Sequence, residues 1–185
     1  MLIVKVGGGD QLDLDEIAQD LASLRRQVVV IHGANRVRDR IAAALGHPPK
    51  VVESMSGQTS VLSDVQAIDA LMAAYAGIRN KRLVEALRRA GLDAIGLSGL
   101  DGGLVRGRRN PGIRVKRDGK KLLLHDFSGK ARQINTGLLE TLLARGMTPV
   151  LTVPIAGEDG TALNSENDDI LTVMATALRP SDVVS

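Results

Sequence analysis

The sequence predicts an α/β fold: a mainly parallel central sheet with helices on both faces and an inserted β-hairpin. Three observations carry that expectation. Short apolar runs alternate with longer segments of helical period. The runs are hydrophobic at successive positions rather than alternate ones, as strands buried on both faces are. Each run then ends in glycine or small polar residues, at the edge where open parallel sheets hold their ligands.

The first run, "LIVKV" (2–6), is apolar except for Lys5 and leads into Gly7-Gly8-Gly9. "QVVVI" (27–31), "DAIGLS" (93–98) and "MTPVLTV" (147–153) follow, ending at His32-Gly33-Ala34-Asn35, Ser98-Gly99 and Pro154 with Gly157. Helices are expected from Asp13, Asn35 and Ser63, near Gln133, and from Ser165. Ser63 and Ser165 have the chemistry of N-caps, and Gly46, Gly91 and Gly146 sit where left-handed C-caps belong. In the helix from Ser63, the residues Ile68, Leu71, Met72, Tyr75, Leu83, Val84 and Leu87 form one apolar stripe, the mark of a core-facing helix. Residues 103–125 break the alternation: short β runs around "NPG" and "RDGK" read as a hairpin or meander between units. Without repeats, low-complexity tracts or linkers, the pattern reads as one domain.

Charge divides the chain. The 24 Lys and Arg against 21 Asp and Glu give +3, yet 106–132 holds ten cations and two aspartates. A basic island on a mildly acidic body calls for an acidic partner. Nucleic acid is a poor candidate, because one Phe and one Tyr supply no stacking platform for bases. Zero cysteines exclude disulfide and thiolate chemistry. No apolar run is long enough to span a membrane or act as a signal peptide, so a cytoplasmic protein is expected.

The strand ends bring together residues with a shared chemistry. Glycines let backbone N–H groups approach an anion, and a following helix N-terminus adds a favourable dipole. Lys5 with Gly8, and the turn Gly33-Ala34 opening a helix at Asn35, read as two halves of a phosphate cradle. There is no G-x-x-x-x-G-K-[ST], and no G-x-G-x-x-G opens a helix after a strand. His47 and His125 lack partners at metal-ligand spacing, so no metal site is expected. Asn164 and Asp168 admit two readings, as site residues or as ordinary polar residues around a cap at Ser165.

Taken in order, these segments resemble the amino-acid kinase family, of the acetylglutamate kinase type. "KVGGG", "VIHGAN", "NKRLVEAL", "GLSGLDGGLVRGRR" and "PVLTVPIAGEDGTALNSENDD" carry the resemblance, which runs the length of the chain. The "GLSGLDG…GRR" segment with its basic hairpin is most similar to kinases of carrier-bound lysine biosynthesis. The resemblance implies transfer of a phosphoryl group from ATP, with Mg2+, to the side-chain carboxylate of α-aminoadipate or glutamate borne on a small acidic amino-group carrier protein. Free N-acetylglutamate is the alternative acceptor, and a non-catalytic module that binds the carrier is an alternative of another class. By the same resemblance Lys5 meets the transferring phosphoryl, Gly8, Gly33 and Ala34 donate backbone N–H groups, Asp168 orients the cations, and Asn164 holds the acceptor. Arg106, Arg108, Arg109, Lys120 and Lys121 would dock the carrier. A homo-oligomer is implied as well. Val61 departs from the pattern, standing where the family carries an arginine that grips the acceptor's α-carboxylate. The resemblance further makes residues 1–178 the acceptor domain and 179–185 the start of a nucleotide-binding domain, so these 185 residues alone are expected to turn over negligibly.

Overall fold

A computed structural model describes residues 1–9, 11–55, 57, 59–117 and 120–185. In chain order the elements are β1 (Leu2–Val6), α1 (Leu14–Ser23), β2 (Val28–His32), α2 (Asn35–Ala44), β3 (Val51–Glu53), β4 (Thr59–Val61), α3 (Val65–Met72), α4 (Asn80–Arg89) and β5 (Ala94–Ser98). They continue with β6 (Val105–Arg109), β7 (Ile113–Arg117), β8 (Lys120–Leu124), β9 (Gly129–Ile134), α5 (Thr136–Ala144), β10 (Thr148–Thr152), β11 (Ile155–Ala156), β12 (Ala162–Leu163), α6 (Asn167–Leu178) and β13 (Asp182–Val184). A π-helical turn, Ala73–Arg79, joins α3 to α4.

The central sheet has the order β13-β1-β2-β10-β5, with every pairing parallel. The apolar runs seen in the sequence are β1, β2, β10 and β5, the first three flanked on both sides and β5 at the edge. Their side chains alternate between two cores, as a two-residue period requires. Leu2, Val4, Val6, Val28 and Val30 pack with Ala18 of α1 and Leu83 and Leu87 of α4. Ile3, Val29 and Ile31 face the other layer, with Val37 of α2, Leu71 of α3 and Ile170 and Met174 of α6. Lys5 shares the parity of Ile3. Its side chain therefore leaves the strand end toward α6.

A second sheet, β12-β11-β6-β9, and two separate hairpins, β3-β4 and β7-β8, stand beyond the carboxyl edge. The expected irregularity at 103–125 is thus a strand of the second sheet, β6, followed by the hairpin β7-β8. Two residues of the "RDGK" turn, Asp118 and Gly119, lie outside the described residues. Gly107 permits the close pairing: a Cβ there would stand 2.5 Å from the Lys130 carbonyl oxygen.

Several boundaries differ from the sequence expectation. Asp64, not Ser63, caps α3, its carboxylate accepting from Ala67 N at 3.0 Å. Ser63 is buried, and its N–H goes to Asp126 at 2.8 Å. Gln133 and Ile134 belong to β9, and α5 starts one turn later behind Asn135. The N-cap position of α6 is Glu166 rather than Ser165. For Ser63 a long-range partner, and for Gln133 and Ile134 a ladder position, outranks the local capping preference. The three glycine C-caps have the expected left-handed φ: +74° at Gly46, +89° at Gly91 and +76° at Gly146.

Candidate functional site

The carboxyl ends of β1 and β2 meet backbone to backbone. Gly33 N donates to the Val6 carbonyl at 2.9 Å. A Cβ on Gly8 would stand 2.8 Å from Asn35 N and 2.9 Å from Ala34 N, so only glycine leaves those donors room. Ala34 has φ −153°, which accommodates its methyl group, and gives α2 no side-chain cap. The first N–H groups of α2 are thus free of a capping oxygen, as an anion-binding helix start requires.

Lys5 Nζ donates to Asp168 Oδ1 at 2.5 Å, with the Lys5 side chain 26% exposed and Asp168 71% exposed. Asp168 lies in the first turn of α6, where a carboxylate is favoured by the dipole. Asn164 precedes that helix; its amide donates to Ser63 Oγ at 3.2 Å. A cavity of about 270 Å³ collects Lys5, Gly8, Gly33, Asn164 and Asp168. It shares Asn35, Arg38, Asn164, Ser165 and Glu166 with a neighbouring cleft of about 560 Å³, whose walls include Val61 and Lys130. The structure therefore brings Lys5, Gly8, Gly33, Ala34, Asn164 and Asp168 to one corner, with Val61 on the adjoining wall. Lys5, Gly8 and the start of α2 leave room for an anion beside one cation and the N–H groups of Ala34 and Asn35; the Gly33 N–H, expected to join them, is instead spent on the Val6 carbonyl. Among the described residues no group of three His, Cys, Asp or Glu is placed to hold a metal ion.

Beneath this corner lies a buried network that sequence reasoning missed. With its proton on Nδ1, His32 donates to the Gly33 carbonyl at 3.3 Å, and Nε2 accepts from the Asn80 amide at 3.1 Å. Burial, aided by the charge of Arg79 and opposed by the Gly33 carbonyl, lowers the His32 pKa to about 4. The ring is neutral at physiological pH. Thr152 Oγ1 and Asn167 Nδ2 donate to the His32 carbonyl at 3.0 and 3.1 Å. The π-helical turn adds Tyr75, whose hydroxyl donates to Asn35 Oδ1, and Arg79, which reaches the Gly9 carbonyl at 3.4 Å. The one signal available was compositional: Tyr75 is the only tyrosine of the chain.

The basic residues differ in their surroundings. Arg106 and Arg108 are exposed on β6, and Lys120 and Lys121 on β8. Arg109 is engaged within the fold, donating to the Asp126 carbonyl at 2.8 Å and lying 4.1 Å above the Phe127 ring.

A glycine-lined corner with one lysine, at the carboxyl edge of a doubly wound parallel sheet, defines the class: an α/β protein with an open polar pocket beside β1 and β2. The chain belongs to the amino acid kinase family, whose model matches residues 1–185. It is 43% identical over 183 residues to the [LysW]-aminoadipate kinase of Deinococcus radiodurans, covering 97% of this chain and 63% of that one. It is 39% identical over 180 residues to the [LysW]-aminoadipate kinase of Thermus thermophilus, covering 95% of this chain and 67% of that one. The chain thus spans about two thirds of the length of these relatives. The crystal structure of smu.665 from Streptococcus mutans shares the fold, with a TM-score of 0.74 at 22% identity over 98% of this chain and 70% of that one. No helix among the described residues is long and apolar enough to cross a membrane.

Proposed function

We propose that this chain is the acceptor-binding part of a kinase that phosphorylates the side-chain carboxylate of α-aminoadipate, or glutamate, carried on a small acidic amino-group carrier protein. The observation that carries the reading is the Lys5–Asp168 pair set against the Gly8 and Gly33 backbone. A carboxylate is already nucleophilic at neutral pH, so the reaction needs charge neutralisation rather than a general base. An oxygen of the acceptor carboxylate attacks the γ-phosphorus of ATP, the bond to the β,γ-bridging oxygen breaks, and ADP leaves with that electron pair. Lys5 would neutralise the transferring group, the N–H groups of Ala34 and Asn35 would bind its oxygens, Asp168 would aim Lys5, and Asn164 would hold the acceptor. ATP with Mg2+ is the donor this reading requires.

Residues 1–178 would form the acceptor domain and 179–185 would lead into a nucleotide-binding unit. In support, β13 pairs in parallel with β1, and Val183 and Val184 are exposed at its other edge. The names of the two kinase relatives support a carrier-borne acceptor, and the exposed cations of β6 and β8 suit an acidic carrier. The protein is expected to act in the cytoplasm as a homo-oligomer.

Trapping of the acyl phosphate with hydroxylamine tests the proposal, on the chain extended through the reading frame that follows Ser185. Carrier-linked aminoadipate should give a hydroxamate, and Lys5→Ala should lower kcat about a hundredfold or more. Trapping with free N-acetylglutamate alone would instead favour the small acceptor. No product from either acceptor would overturn the kinase reading and leave the carrier-binding module.

A further inference from the structure

We infer that Lys130 is the specificity-determining cation of the acceptor cleft, binding the carboxylate that is not phosphorylated. This rests on the acceptor being an N-acylated dicarboxylic amino acid, as proposed above. Such a molecule brings two anions: one enters the Lys5 corner, and the other needs its own positive partner in the adjoining cleft.

The walls of that cleft are unequal. On one side Val61 of β4 is 46% exposed and presents only methyl groups, with Ile113 of β7 nearby on the lining. Two cations line the cleft, Arg38 and Lys130. Arg38 is engaged: its Nε and one terminal nitrogen both donate to Asp39 Oδ1, at 2.9 and 2.8 Å. Lys130 makes no ion pair within 4 Å among the described residues, and neither does Arg108.

The ladder adds an independent argument. β6 and β9 run antiparallel with Arg108 directly opposite Lys130. Like charges so placed repel, and the arrangement is relieved when an anion sits between or beside them. The carboxylates on the lining do not fill that role. Asp126 accepts from Ser63 N at 2.8 Å and from Ser128 N at 3.1 Å, while Glu166 and Asp169 sit at the start of α6, where the dipole already favours them. The cleft thus offers apolar side chains for the acceptor's methylene chain and, in Lys130, one cation without an ion pair for its second carboxylate.

The test is calorimetric binding of N-acetyl-α-aminoadipate, and of the analogue with its α-carboxylate replaced by a carboxamide, to the 185-residue chain. The native chain should prefer the dicarboxylate by about tenfold or more, the range of a hydrogen bond to a charged group. Lys130→Ala should erase that preference and leave carboxamide binding unchanged, whereas Lys130→Arg should keep it. Val61→Arg placed in the Lys130→Ala background should restore it from another position on the lining. An undiminished preference in Lys130→Ala overturns the inference while leaving the kinase proposal standing. Failure of the native chain to bind either ligand also overturns the inference, while the kinase reading is decided by the hydroxylamine trap.

Discussion

Gly8 is the residue on which the corner depends most directly. Gly8→Ala would drive a methyl group to within 2.9 Å of two backbone nitrogens, Ala34 N and Asn35 N. Neither belongs to a flexible side chain, so the β1 loop must move away. We expect a stability loss of about 1–3 kcal/mol by urea denaturation and loss of acceptor binding by calorimetry. His32 gives a pH signature. Its folded pKa, about 4, lies below the ordinary 6.5, so the unfolded chain binds the extra proton between those values. Its contribution is therefore full above pH 6.5, shrinks as pH falls, and is gone below about 4, a total of about 3 kcal/mol. In His32→Gln that part of the pH dependence should disappear; an unchanged slope would mean another group carries it. Lys5 and its glycines were legible in the sequence because a charge in an apolar run and bare backbone after it are both costly without a ligand. The network around His32 was not legible, since its partner Asn80 is 48 residues away and only packing brings them together.

Among the elements, β1, β2, β5 and β10 were readable almost to the residue because burial between two helical layers leaves a nearly unbroken apolar run. The helix from Ser63 was read as one regular piece, and its π-helical turn is invisible to a 3.6-residue pattern. That turn rotates Tyr75 and Arg79 toward the strand ends while α4 keeps Asn80 against the sheet. Asn80 Nδ2 donates to the Val150 carbonyl at 3.0 Å, and the space it occupies exists because residue 96 is glycine. A Cβ at Gly96 would lie 1.8 Å from Asn80 Oδ1. Gly96→Ala should therefore expel the amide, leave a buried carbonyl and the His32 ring unsatisfied, and cost about 3 kcal/mol or more in chemical denaturation. Tyr75→Phe is the milder counterpart: loss of the bond to Asn35 should cost about 1 kcal/mol and weaken binding at the α2 N-terminus. β9 escaped the sequence reading because "GKARQI" alternates glycine, alanine and charge rather than showing an apolar face.

At the scale of the molecule, charge is sorted, and the sorting has an internal cost. Lys116 stands directly opposite Lys121 on the β7-β8 ladder, and neither forms an ion pair among the described residues. The sequence revealed the basic island, but only the register shows that its charges face each other. Such a pair destabilises the free hairpin by a few tenths of a kcal/mol, a cost an acidic partner removes on docking. Lys121→Gln should accordingly raise the stability of the isolated chain slightly and weaken binding of the acidic carrier. Lys120→Glu combined with Lys121→Glu should slow association about tenfold or more at low salt, with the difference fading toward 0.5 M salt as the charges are screened (about 4 Å Debye length). Arg109 is a poor probe for this purpose, because removing it breaks the bond to Asp126 and exposes Phe127. Stopped-flow association at several ionic strengths checks the prediction. Rates indifferent to both the reversal and the salt would mean that the hairpin is a solvated face, and that the carrier docks elsewhere.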